Sequence, residues 1–140
     1  MSDLIPVRQY MTALPETIDE ELLLSDAKDR MFALGVHHLP VVHDGKLVGI
    51  LSHRDIAVAE ALATHEYAKI PVANVMTQSP FTCGPNAHVE AVAREMAAHY
   101  YGSAVVVDPE HPSQIVGVFT TTDALRALAE IIDRRKQGPG

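Results

Sequence analysis

The sequence predicts a mixed α/β (α+β) protein made of two tandem copies of one strand–helix–strand–strand–helix unit. Three observations carry that prediction. Ile5-Pro6-Val7 with Met11-Thr12 recurs as Ile70-Pro71-Val72 with Met76-Thr77, a shift of 65 residues. At the same shift Pro15, Thr17, Met31, Ala33, Val41 and Val42 return as Pro80, Thr82, Met96, Ala98, Val106 and Val107. After a three-residue insertion the shift is 68, and Val48, Gly49, Asp55, Ala59 and Ala61 match Val116, Gly117, Asp123, Ala127 and Ala129. Self-similarity at a fixed period marks repeated supersecondary units. Within each copy, helical and strand periodicities follow one another in the same order.

Each element has a local reason. Residues 16–18 and 81–83 are short strand candidates. Over 22–34, Leu23, Ala27, Met31 and Leu34 recur at helical spacing; over 87–99, Val89, Val92, Ala93 and Met96 do the same, with Asn86 as the expected N-cap. Leu39–Val42 and Leu47–Leu51 flank Asp44-Gly45, the sequence of a type I′ hairpin turn. The second copy places Ala104–Val107 and Ile115–Phe119 around a longer expected loop, 108–114. These runs lack polar alternation, which predicts strands covered on both faces. Helices are expected at 53–66 and 121–136, the last with an apolar stripe of Leu125, Leu128, Ala129 and Ile132 and an i,i+4 pair of Glu130 and Arg134.

The repeats span residues 5–67 and 70–136, with a disordered tail expected at 137–140. A unit of about 65 residues is marginal alone, so the two are expected to pack sheet to sheet with pseudo-two-fold symmetry.

Composition narrows the function classes. The chain has 140 residues, 47% hydrophobic, with 11 basic against 18 acidic side chains and a net charge of −7. Such a balance disfavours nucleic-acid and anionic-membrane partners. A lone cysteine, Cys83, permits no intrachain disulfide and points to the cytoplasm. The opening Met1-Ser2-Asp3-Leu4 lacks the basic and apolar regions of a signal peptide. No nucleophile elbow, catalytic carboxylate pair, phosphate-cradling Gly-rich loop or dinucleotide fingerprint occurs, so an enzyme is not expected.

Met-Thr, Thr17-Ile18, Ala27-x-x-x-Met31, Leu39-Pro40-Val41-Val42, Asp44-Gly45-Lys46-Leu47-Val48-Gly49-Ile50 and Ser52-x-x-Asp55, followed by Val116-Gly117-Val118-x-Thr120-x-x-Asp123, form an ordered series. That series resembles the cystathionine-β-synthase (CBS) domain, present twice as a CBS pair or Bateman module. The second copy departs from the pattern: Leu-Pro-Val-Val becomes Ala104-Val105-Val106-Val107, the tight hairpin turn is lost, and Cys83 replaces an aliphatic residue.

The resemblance implies a stand-alone regulatory module that binds adenosine-containing nucleotides in clefts between its copies and signals through an effector protein. No cofactor is obligatory. AMP, ADP or ATP is the expected ligand, with S-adenosylmethionine ranked behind them. Carried over residue by residue, one site combines Val118, Thr120 and Asp123 with Thr12, Glu16, His37 and His38. The other combines Ile50, Ser52, Arg54 and Asp55 with Thr77, Phe81, Gly102 and Ser103. In this reading the Asp accepts both ribose hydroxyls, and the Ser or Thr hydroxyl and helix N-terminus hold phosphate. Glu16 is an unhelpful charge beside a phosphate, and Phe81 serves either an adenine face or packing. The Asp123 site is favoured, because His37 and His38 add potential cations. The resemblance also implies a homodimer, with Leu23, Met31, Leu125, Leu128 and Ile132 as its candidate surface.

Simpler readings stand beside these. Ser52-x-x-Asp55 and Thr120-x-x-Asp123 are capping boxes by residue type alone. An interaction or scaffold protein without nucleotide is the first alternative, and a histidine-based metal or pH sensor the second. Among eight histidines, His37 and His43 share a strand face but lie about 20 Å apart at roughly 3.3 Å per residue, too far for one ion. His38 with His53 is the pair that the pattern leaves open, and no metal site is assigned. Protonation of all eight histidines would move the charge from −7 to +1, which makes pH-dependent association an expectation.

Overall fold

Leu24, Ala27 and Met31 point one face of an eleven-residue helix into a core, and the rest of the first unit assembles around them. The computed structural model describes residues 4–138. It divides into two compact units, Pro15–Pro80 and Met1–Leu14 with Phe81–Gly140.

In the contiguous unit the order is β2 (Ile18–Asp19), α1 (Leu24–Leu34), β3 (His38–His43), β4 (Lys46–Ser52), α2 (His53–Ala63) and β5 (Thr77–Gln78), with 3-10 turns at Thr64–Lys69 and Val72–Asn74. The other unit begins with a 3-10 turn, Val7–Gln9, and β1 (Thr12–Ala13). It continues with β6 (Thr82–Cys83), α3 (Val89–His99), β7 (Ser103–Asp108), β8 (His111–Thr120) and α4 (Thr121–Lys136). The sheets follow one plan, β2-β3-β4-β5 in one unit and β6-β7-β8-β1 in the other. In each, a parallel strand lies on one side of the hairpin and a two-residue antiparallel strand on the other.

These units are offset from the sequence repeats. Thr12 belongs to the first repeat but pairs with Val118 of the second, and the equivalent Thr77 pairs with Ile50. Glycine makes both pairings feasible. A Cβ at Gly49 would stand 2.8 Å from the Thr77 carbonyl oxygen, and one at Gly117 would stand 3.1 Å from that of Thr12 and against the Met11 sulfur. The recurring Met-Thr and Val-Gly pairs are thus two sides of one close backbone approach.

The first hairpin turns at Asp44 (φ 50°) and Gly45 (φ 75°), both left-handed as a type I′ turn requires. Leu39, Pro40 and Val41 are buried in succession, as are Ser103–Val107, which fits strands without polar alternation. The loop expected at 108–114 is not a loop. Asp108 pairs with His111 around Pro109-Glu110, and the Asp108 carboxylate accepts the Glu110 N–H at 2.9 Å. The three-residue insertion is absorbed as a register break in β8, because Val107 opposes Ile115 while Asp108 opposes His111.

Two further expectations are corrected. Leu23 and Leu34 stay partly exposed; the inward face of α1 runs through Leu24, Ala27 and Met31, so Met31 is core and not a candidate contact surface. Asn86 does not cap α3, whose N-cap is His88; the Asn86 side chain instead accepts from Arg8 at 2.8 Å. Beyond α4, the Gln137 and Gly138 N–H groups donate to the Asp133 and Arg135 carbonyls, and 139–140 of the expected tail lie outside the described residues.

Helix α4 buries Asp123 and Ala127, while Leu125, Leu128 and Ile132 are 60%, 50% and 45% exposed. The Glu130–Arg134 pair forms at 2.8 Å. Lys28 on α1 donates to Glu60 on α2 at 2.6 Å, which raises its pKa. Among the described residues no helix is long and apolar enough to cross a membrane.

Candidate functional site

Each unit presents one strand-to-helix turn closed by a capping box. At the β4–α2 turn the Ser52 hydroxyl accepts the Asp55 N–H at 3.0 Å, and Asp55 Oδ2 accepts the Ser52 N–H at 2.9 Å. At the β8–α4 turn Thr120 Oγ1 accepts the Asp123 N–H at 3.3 Å and donates to Asp123 Oδ2 at 3.0 Å, while Oδ2 also accepts the Thr120 N–H at 2.9 Å. Two otherwise unpaired N–H donors of each helix start are satisfied this way.

A capping box uses one carboxylate oxygen and leaves the other. Asp55 is held through Oδ2, whereas Asp123 Oδ1 lies 3.6 Å from the exposed Arg126 guanidinium. Asp123 is also the more buried of the two, 5% exposed. Sequence spacing alone missed Arg126; its signal was an Arg three residues after an Asp, one helical turn on.

The structure brings part of each expected set together. Thr12, Val118, Thr120 and Asp123 belong to one unit, and Thr12 is the register partner of Val118. Glu16, His37 and His38 belong to the other. Of the second set, Ile50, Ser52, Arg54, Asp55 and Thr77 share the contiguous unit, with Thr77 paired to Ile50. Phe81, Gly102 and Ser103 sit in the other unit, where Ser103 pairs with Thr120. Thr12, Thr77 and Arg54 are exposed. Phe81 stacks on Tyr101 with ring centroids 5.2 Å apart and packs against the core of its unit.

His37 and His38 have different backbone partners. His38 is the register partner of Ser52, while the His37 carbonyl accepts the His53 N–H at 2.8 Å. Burial pushes the Cys83 thiol up to about 11, which disfavours the thiolate. Among the described residues, no three His, Cys, Asp or Glu side chains converge as metal ligands.

Comparison with known proteins follows the two sequence repeats. The family model described as the CBS domain matches residues 7–62 and again 72–130. A sulfurtransferase acting on L-aspartate semialdehyde, from Methanosarcina acetivorans, is 32% identical over 124 residues; these are 88% of this chain but 24% of that protein. The CBS domain-containing protein YhcV of Bacillus subtilis is 29% identical over 84% of this chain and 81% of its own. Among solved structures, the CBS domain pair of protein MJ0100 in complex with 5′-methylthioadenosine and S-adenosylmethionine superposes with a TM-score of 0.78 at 28% identity, covering 89% of this chain and 99% of that one.

Proposed function

This chain belongs to the CBS domain family, which it carries twice, and on that premise we propose that it is a regulatory module binding an adenosine-containing ligand. The observation that carries the reading is the pair of capping-box carboxylates, Asp55 and Asp123, each on a strand-to-helix turn beside an exposed Met-Thr threonine. A carboxylate with one oxygen fixed by its own helix offers the other to a ribose diol. The helix N-terminus and the Ser or Thr hydroxyl suit a phosphate or another polar 5′ substituent. The similar MJ0100 pair, solved with two adenosine compounds, supports adenosine as the shared part of the ligand. AMP, ADP and ATP are the nucleotides this reading ranks first.

Signalling proceeds by association, first with a second copy of the chain and then with an effector protein. The outward apolar stripe Leu125, Leu128 and Ile132 supports a homodimer.

Titration calorimetry against AMP, ATP, S-adenosylmethionine and 5′-methylthioadenosine tests the reading. Saturable binding of at least one of them, weakened in Asp55→Ala or Asp123→Ala, is expected. Heats indistinguishable from buffer for all four would leave the scaffold alternative in its place.

A further inference from the structure

His37 and His53 lie face to angled face, with ring centroids 5.5 Å apart and planes tilted by 45°. Their backbones are fixed to one another, since the His53 N–H donates to the His37 carbonyl at 2.8 Å. Both side chains are exposed. The same backbone link recurs in the other unit, where Thr121 N–H donates to the Gly102 carbonyl at 3.1 Å. The fold therefore builds this juxtaposition twice, and only one copy furnishes it with imidazoles.

The geometry points to a two-histidine site for a borderline transition-metal dication of the Zn²⁺, Ni²⁺ or Cu²⁺ class at His37 and His53. Two imidazoles on one zinc ion, each at about 2.0–2.1 Å, place their ring centres roughly 5–6 Å apart. The observed 5.5 Å falls in that span. Neutral imidazole suits this class of ion and not Mg²⁺ or Ca²⁺, which take oxygen ligands. With two protein ligands, the remaining coordination positions go to water or an incoming donor, the pattern of an open site. The N-terminus of α2 and the exposed Arg54 oppose a cation here; the Asp55 carboxylate in the same first turn offsets them. The sequence pattern left His38 with His53 open; in the structure it is the His37 ring that lies 5.5 Å from that of His53.

The test is calorimetric titration of the full chain with Zn²⁺, without nucleotide, so that its result is independent of the adenosine reading. One equivalent of Zn²⁺ should bind. His37→Ala and His53→Ala should each weaken it at least tenfold, because chelation needs both rings. His43→Ala, which removes an exposed histidine lying against Glu20 and Asp44, should change it less than twofold. In the unsubstituted chain, the imidazole NMR resonances of His37 and His53 should move together on Zn²⁺ addition. No binding, equal weakening by all three variants, or a response of one ring without the other would each overturn the site.

Discussion

Gly117 lies against Met11 so closely that a Cβ at position 117 would meet the methionine sulfur, and Gly49 stands in the same relation to Met76. Gly49→Ala and Gly117→Ala should both destabilise the protein, by about 1–3 kcal/mol as overpacking does. Gly49→Ala should cost more. Its Cβ would be 2.8 Å from a backbone oxygen, which cannot rotate away, against 3.1 Å at Gly117. Denaturant unfolding of the two variants measures this; equal stabilities to the parent chain would refute the close-approach explanation.

Tyr100 ends α3 in the left-handed region at φ 59°, 94% exposed, where Gly35 ends α1 at φ 67°. Both backbone N–H groups bond the preceding helix turn. A residue with a Cβ is strained there and glycine is not. Tyr100→Gly should raise stability by up to about 1 kcal/mol, and Gly35→Ala should lower it by about as much. Thermal melts of both variants, moving in opposite directions, are the expected result.

Cap and ligand roles of Asp55 separate by comparison with Ser52. Ser52→Ala removes the hydroxyl cap and should cost about 1 kcal/mol of stability, while the carboxylate remains to bind ribose. Asp55→Ala should lose a similar stability and, in addition, at least tenfold in adenosine-ligand affinity, since about 1.4 kcal/mol is one decade. An adenosine-ligand affinity that Asp55→Ala leaves unchanged would assign Asp55 to capping alone.

The thiol of Cys83 is raised from 9.0 to about 11 because burial penalises its charged form. A folded-state value above the unfolded one favours the protonated fold. That contribution is present below pH 9 and is lost as pH rises towards 11. Stability of the parent chain should therefore fall between those values more steeply than that of Cys83→Ala. At pH 8 a thiol reagent should modify the native protein far more slowly than the unfolded chain.

Leu128→Glu places a charge within the outward stripe of α4. Sedimentation equilibrium should show the parent chain at twice its chain mass and the variant at one. A parent chain that sediments at its single mass at micromolar concentration would remove the homodimer.

Much of this architecture is readable in sequence because its signals are local. Asp44-Gly45 dictates a turn, Ser52-x-x-Asp55 and Thr120-x-x-Asp123 dictate helix starts, and the paired shifts of 65 and 68 expose the repeat. The missed features depend on distant partners. Thr12–Ala13 and Thr77–Gln78 carry no strand period of their own and become strands by lying on glycine. The long β8 hides its start behind His111-Pro112, residues that read as loop. Arg126 beside Asp123 needed a knowledge of which Asp oxygen the cap leaves over. His37 with His53 needed the backbone bond across the strand-to-helix turn.

The pairing of Thr12 with Val118 also sets an order of events during synthesis. Residues 15–80 hold every strand of their own sheet, so that unit can close as soon as it has been made. The other sheet stays without an edge strand until a segment near the start of the chain meets one more than a hundred residues later. Contacts of such sequence separation form slowly, because loop closure must precede them. The contiguous unit should thus acquire amide protection first in pulse-labelled refolding. The exposed side of β8 should be the last sheet edge to be covered, and the one at which stalled chains associate.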